Sequence, residues 1–152
     1  MRRKASYLLP GIVEVLQTPV VPEEGFRLGV TGGRDFDDSR FVWDTLMALH
    51  RRFHITELGS GCAEGVDTFA IQWANRHRVP WRCYVADWKT YGDAAGAIRN
   101  GVYLEDFQPE LLAVFPGGRG TTDCARKARK MEIEREFFDP DTDPLKEALR
   151  WG

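Results

Sequence analysis

Most residues that could do chemistry lie in three glycine-rich stretches of this 152-residue chain. The first, TGGRDF at 31–36, sets Gly32 and Gly33 before Arg34 and Asp35. Glycine lets backbone amides approach an anion closely, and a planar guanidinium suits phosphate or carboxylate. A tight turn, with Arg34 paired to Asp35 or Asp37, explains the same residues. The second stretch, GSGCAEGVD at 59–67, carries Gly61, Gly65 and Asp67 into an amphipathic run. Amides and dipole at a helix N-terminus make an anion cradle there, and Asp67 could cap the helix or accept a ribose hydroxyl. It is neither a dinucleotide fingerprint in its usual place nor a P-loop, since no GK[ST] follows. The third, FPGGRGTTD at 115–123, is the sharpest. Pro116 restricts the strand exit, Gly117 and Gly118 free the backbone, and Gly120 and Thr121 open a helix whose amides face the loop. A phosphate site explains this stretch better than a turn does.

Between the second and third stretches, AGAIRN at 95–100 places Gly96, Arg99 and Asn100 on one helix. Arg99 could reach a phosphate over the sheet edge or sit as a solvated charge. Asp35, Asp67 or Asp87 could contact ribose or base, and Trp88 or Tyr91 could stack on a base. Other features carry blander readings. His50 and His54 have the spacing of a two-histidine metal site but lack a third ligand, so no metal is expected. Cys62, Cys83 and Cys124 include no CxxC pair, which suggests free thiols in a reducing cytosol. Cys62 and Cys124 read as buried small side chains rather than nucleophiles. DPDTDP at 139–144 lacks the glycine and glutamate of a calcium loop. ARKARK with Arg135 could touch nucleic acid or a diphosphate, with a solvated helix face as the default.

The elements that must position these residues alternate. Strands are expected at Phe26–Val30, Ile55–Leu58, Trp81–Ala86 and Leu111–Phe115, with a last one within Glu132–Phe138. Helical spacing follows at Val42, Leu46, Leu49 and Phe53, after a cap at Asp38 or Ser39, and again at Val66–His77. A weaker helix, interrupted by Gly96 and Gly101, covers Ala94–Asp106, and others cover Asp123–Lys130 and Leu145–Trp151. DWKTYGDAAG, beginning at Asp87, reads as a polar loop. The alternation implies right-handed βαβ units and a parallel sheet with helices on both faces, whose ligands bind at the carboxyl ends of the strands. Residues 1–25, punctuated by Pro10, Pro19 and Pro22, read as an N-terminal extension in which VEVLQ forms a short strand or helix.

Composition narrows the function classes. Hydrophobic residues make up 43% and charged residues 29%, which excludes a disordered chain or a repetitive fibre. The net charge of −2 argues against a strongly basic nucleic-acid coat protein, although a local basic groove remains compatible with it. No run approaches the roughly 20 apolar residues that span a bilayer, and Pro10, Gly11 and Glu14 break up the signal-like start. A cytoplasmic protein with no membrane partner is the expectation.

Four segments in order, GGRDF at 32–36, GCAEGVDTFAIQWA at 61–74, ADWKTYGDAAGAIRN at 86–100 and AVFPGGRGT at 113–121, resemble the YspA/cpYpsA-related branch of the SLOG superfamily. The resemblance implies a Rossmann-like three-layer sandwich with a mainly parallel sheet over residues 26–152. The superfamily includes LOG phosphoribohydrolases, which release a base from a nucleoside monophosphate, and DprA, which binds single-stranded DNA. Of the LOG motif PGGxGTxxE, Pro116, Gly117, Gly118, Gly120 and Thr121 match, but Cys124 stands at the glutamate and Asp123 is one residue early. Arg99 is similar to the LOG arginine, followed here by Asn100 instead of lysine. The phosphate-binding half is therefore intact and the carboxylate half is not.

The resemblance thus implies a sensor or signalling module for a nucleotide-derived small molecule such as ADP-ribose. A LOG-like N-glycosidase with Arg99 as catalytic residue is the alternative. It also implies a homodimer; no cofactor is expected. Nucleic acid is not expected as a partner, because the near-neutral charge counts against DprA-like binding.

Overall fold

The computed structural model describes residues 6–20, 22 and 24–142. Seven strands form one sheet in the order β1-β2-β5-β4-β3-β6-β7. The strands are β1 (Ser6–Tyr7), β2 (Ile12–Gln17), β3 (Phe26–Thr31), β4 (Ile55–Ser60), β5 (Trp81–Ala86), β6 (Leu111–Val114) and β7 (Glu134–Phe137). The five from β3 onward are mutually parallel, with Leu28 opposite both Leu58 and Leu111. β2 runs antiparallel to β5 and β1 antiparallel to β2, so the sheet is mostly parallel with an antiparallel edge. The segment expected as an extension thus builds that edge, and Val15 is fully buried against Tyr84.

Helices cover both faces. α1 (Ser39–Phe53) and α2 (Val66–Arg76) bury Val42, Leu46, Leu49, Ala70 and Trp73 against Leu28, Val30 and Leu58. Across the sheet, α4 (Ala95–Phe107) and α5 (Arg119–Lys130) bury Tyr103, Leu104, Phe107, Cys124 and Ala128 against Tyr84, Leu112 and Val114. Asp38 caps α1 by accepting from the amide of Phe41 at 3.0 Å. α4 forms despite Gly96 and Gly101, because its apolar stripe outweighs a propensity cost of about 1 kcal/mol per glycine. Short α3 (Trp88–Tyr91) occupies the stretch expected as loop, and α5 begins at Arg119 rather than Asp123. Residues 145–151, where a terminal helix was expected, lie outside the described residues.

A polar cluster ties the antiparallel edge down. Tyr7 and Tyr84 both donate to the Asp106 carboxylate, the latter at 2.7 Å. Arg82 reaches the same carboxylate at 3.5 Å and grips buried Glu57 through two bonds of 2.8 and 3.1 Å. Among the described residues, no helix is long and apolar enough to cross a membrane.

The strand order reverses direction at β3: β4 and β5 step to one side, β6 and β7 to the other. At such a switch point the two outgoing loops diverge and leave a crevice beyond the strand ends. The glycine loops after β3 and β6 are those two loops.

Candidate functional site

A cleft of about 550 Å³ opens at the carboxyl ends of β3, β4 and β6. Its base is a splice between the first and third glycine stretches. The Gly33 amide donates to the Pro116 carbonyl at 2.8 Å, and the Phe115 amide to the Thr31 carbonyl at 2.9 Å. A Cβ on Gly33 would stand 3.0 Å from the Gly117 Cα, and one on Gly32 would enter the Val66 side chain. Close approach of the Pro116–Gly117 backbone therefore requires Gly33, and that of the Val66 side chain requires Gly32. Gly65, at φ +73°, plays the same part behind the wall: a Cβ there would drive into the Gly33 carbonyl. Gly65 does not line the cleft.

The third stretch presents its free side to the cleft. A Cβ on Gly118 or Gly120 would meet no atom within 4 Å, and no side chain caps the start of α5 at Gly118. The first amides of a helix have no intrahelical partner, so they remain available to an anion. Pro116, Gly117 and Thr121 complete this wall. Asn100, 4% exposed, holds the loop from behind by donating to the Gly120 carbonyl and to Asp123, each at 3.0 Å.

Arg34 makes no ion pair with Asp35 or Asp37 among the described contacts. Its guanidinium lies over the Trp88 ring, 5.5 Å from the centroid. Trp88 is 48% exposed, and its far edge covers Gly96. The cleft mouth therefore carries a cation and an aromatic face together, with Asp35 beside them. Asp87 does not line the cleft; it caps α3, accepting from the Thr90 amide at 3.0 Å. Tyr91 is exposed but also lies outside the lining.

Arg99 lines the cleft with two of its five donors already bonded. It is 9% exposed and donates to Asn100 at 3.1 Å and to the Gly61 carbonyl. A Cβ on Gly61 would meet that guanidinium at 2.8 Å. Buried Asp67 accepts from the Ala63 amide at 3.1 Å, and burial pushes its carboxyl up to about 6 against the pull of Arg99. Arg99 ties the second stretch to α4, and Asp67 ties it to the first turn of α2.

Arg119 and Tyr103 are among the lining residues that were not candidates from sequence. Arg119 sits inside PGGRGT, between two glycines of the loop. Tyr103 lies one helical turn beyond Arg99; its hydroxyl accepts from the Val30 amide at 2.9 Å and donates to the Gly59 carbonyl at 2.8 Å. It thus bridges β3 and β4 beneath the cleft.

The carboxylate half of a LOG-type site is not assembled here. Burial would raise the Asp123 carboxyl, but its bonds to Lys127 and Asn100 outweigh this and hold it below the usual range. Asp123 does not line the cleft. Cys124 is fully buried, which pushes its thiol up to about 12.

The other cysteines correct the expectation of free thiols. Cys62 and Cys83 are joined as a disulfide, with Cα atoms 5.1 Å apart. Spacing concealed the pair, because Cys83 lies opposite Ser60 across the β4–β5 ladder. His50 accepts from the Ile55 amide at 3.0 Å and closes the end of α1, where burial lowers its pKa. No group that could hold a metal ion occurs among the described residues.

Comparison with known proteins adds a family and a fold. A family model described as YspA, cpYpsA-related SLOG family matches residues 26–91. Gene 61 protein of Mycobacterium phage D29 is 35% identical over 115 residues, spanning 70% of this chain and 91% of that protein. A solved structure of DNA processing protein A from Helicobacter pylori, concerned with its single-stranded DNA binding mode, aligns with a TM-score of 0.59. That alignment covers 91% of this chain and 79% of the other at 16% identity. It overturns two expectations: a small nucleotide-derived ligand, whether sensed or hydrolysed, and the dismissal of nucleic acid as a partner. Net charge does not report on such a partner, because it averages over the surface and is silent about one cleft. By its matched segment and its phage relative, the chain belongs to the YspA, cpYpsA-related SLOG family.

Proposed function

We propose that this protein binds single-stranded DNA along the glycine cleft of a Rossmann-like domain. The observation that carries the reading is the Arg34–Trp88 pair facing the uncapped amides at Gly118–Thr121 across one opening. A single strand offers repeating phosphates and unstacked bases. Amides and guanidinium would take a phosphate, and the exposed indole face would stack on the neighbouring base. Base stacking of this kind tolerates any sequence, since every base has a π-face.

The roles divide by geometry. Arg34, Arg119 and the Gly117–Thr121 backbone would hold phosphate, with Trp88 as the stacking platform. Asp35, at the mouth, would meet a base edge. Arg99, Asn100, Asp67 and Tyr103 would act as positioning residues, holding the loops that do the binding. The likeness to DNA processing protein A supports the choice of strand over mononucleotide.

Fluorescence anisotropy with a labelled oligothymidylate tests this. Binding should weaken with salt by roughly 0.7 log units per log unit for each phosphate contacted. Gly118→Asp should abolish it, because the added carboxylate would project into open space beside the amides. Absence of binding by the wild type at low salt would overturn the proposal.

A further inference from the structure

The basic run on α5 does not end in solvent. A second groove of about 360 Å³ lies between α5 and β7, and it shares Gly117 and Thr121 with the cleft. The two depressions therefore meet at the same loop, one on either side. Arg126 and Arg129, three apart on α5, project from one wall on the same face. Arg135 and Phe137 form the other wall, since alternate residues of a strand share a face.

The second groove repeats the chemistry of the first. The Arg135 guanidinium lies 5.2 Å from the centroid of Phe137, and that ring is 61% exposed. Arg34 over Trp88 is the same pairing of guanidinium with an open aromatic face. No acidic residue lines the groove among those described. Asp123 pairs with Arg126 at 3.1 Å from outside it, and Glu136 turns to Arg52 on the opposite face. Glu132 and Glu134 appear only in the next depression, beside Arg129 and Arg135, which closes the basic track there.

We infer that this groove is a second subsite for the same DNA strand, which passes over the Gly117–Thr121 loop from the cleft to Phe137. The inference rests on the single-strand reading above. An occupant with one phosphate and one base would need one cation–aromatic pair. Two such pairs flanking one amide loop match a polymer that repeats phosphate and base. Arg126 and Arg129 would meet the phosphates that follow the loop, and Phe137 would stack on a base there.

The experiment compares oligothymidylates of about 4 and about 12 nucleotides, lengths chosen to fill one site or both. The wild type should bind the longer strand more tightly by at least about tenfold. Arg126→Ala combined with Arg129→Ala, and separately Phe137→Ala, should remove most of that gain and leave the shorter strand unaffected. The arginine double variant should also lower the salt slope by about 1.4, and Phe137→Ala should leave it unchanged. Matching circular dichroism and melting temperatures would show that the variants fold. Variants that bind the longer strand as the wild type does, while Gly118→Asp still abolishes binding, would overturn the second subsite and leave the cleft standing. A wild type that binds neither strand would overturn both.

Discussion

The Arg34 guanidinium sits 5.5 Å from the centroid of the Trp88 ring, joining the loop after β3 to α3 across the mouth of the cleft. Neither residue is near the other in sequence, and the contact sets the geometry of the proposed binding surface. A guanidinium already stacked on one aromatic face presents its edge donors in a fixed plane. It needs less reorganisation when a phosphate arrives.

The two members of that pair should fail differently. Arg34→Ala should weaken DNA binding by about tenfold and lower the salt slope by about 0.7. Trp88→Ala should weaken it similarly with the slope unchanged, because stacking releases no counterions. Titrations at several salt concentrations separate the two. Equal slopes for wild type and Arg34→Ala would count against phosphate contact by this residue.

Asp67 makes stability depend on pH. Burial raises its folded-state pKa from 3.8 to about 6, so between those values the folded protein holds the proton more firmly than the unfolded chain. This contribution therefore favours folding below pH 4, fades as pH rises to 6, and above that leaves a penalty on the order of 3 kcal/mol. Asp67→Asn keeps an oxygen to accept from Ala63 and removes the titration. The stability of wild type relative to this variant should rise when urea unfolding is repeated at pH 4.5 instead of 7.5. An unchanged difference would mean that Asp67 is ionised at little cost.

Glycines in the loops divide into those that seat backbone and those that open the cleft. Gly65→Ala meets both a positive φ and the Gly33 carbonyl, and should destabilise the fold by about 2 kcal/mol or more. Gly118→Ala meets no neighbour at φ −100°, and should cost about 1 kcal/mol or less. Denaturant midpoints of the two variants check the contrast directly.

The Cys62–Cys83 bond closes a separation of 21 residues that includes the whole of α2. Chain-entropy reasoning assigns such a loop about 3 kcal/mol. Cys83→Ser should lower stability by that order under oxidising conditions and should equal the wild type once a thiol reductant is added. Equal stability without reductant would show that the cross-link contributes nothing.

The alternation of elements was legible because each strand and helix carries its own short-range pattern. Phe26 to Thr31, Val66 to Arg76 and Trp81 to Ala86 hold their predicted types, with ends displaced by a residue or so. The sequence concealed what depends on distant partners. VEVLQ suits a strand or a helix by its own pattern, and pairing with the free edge of β5 decides for the strand. Asp87 looked like a ligand because a carboxylate after a strand suits ribose, yet it also suits an N-cap, and capping prevails. Most proposed site residues do line one cleft, since glycine loops at the ends of parallel strands converge wherever the order reverses. Their partition into residues that face the opening and residues that brace it could not be read from spacing. Arg99 shows why: only the fold reveals that Gly61 and Asn100 take two of its five donors.

The antiparallel edge has a consequence for how the chain is made. β2 leaves the ribosome early, yet its partner is β5, with Val15 opposite Tyr84. Until β5 emerges, Ile12 and Val15 have no strand to pair with. β2 would then zip on late as a closing seam, held by the Tyr7–Asp106 latch. A nascent chain halted before Trp81 would therefore present this strand as bait for chaperones, and one extended past Asp106 would hide it.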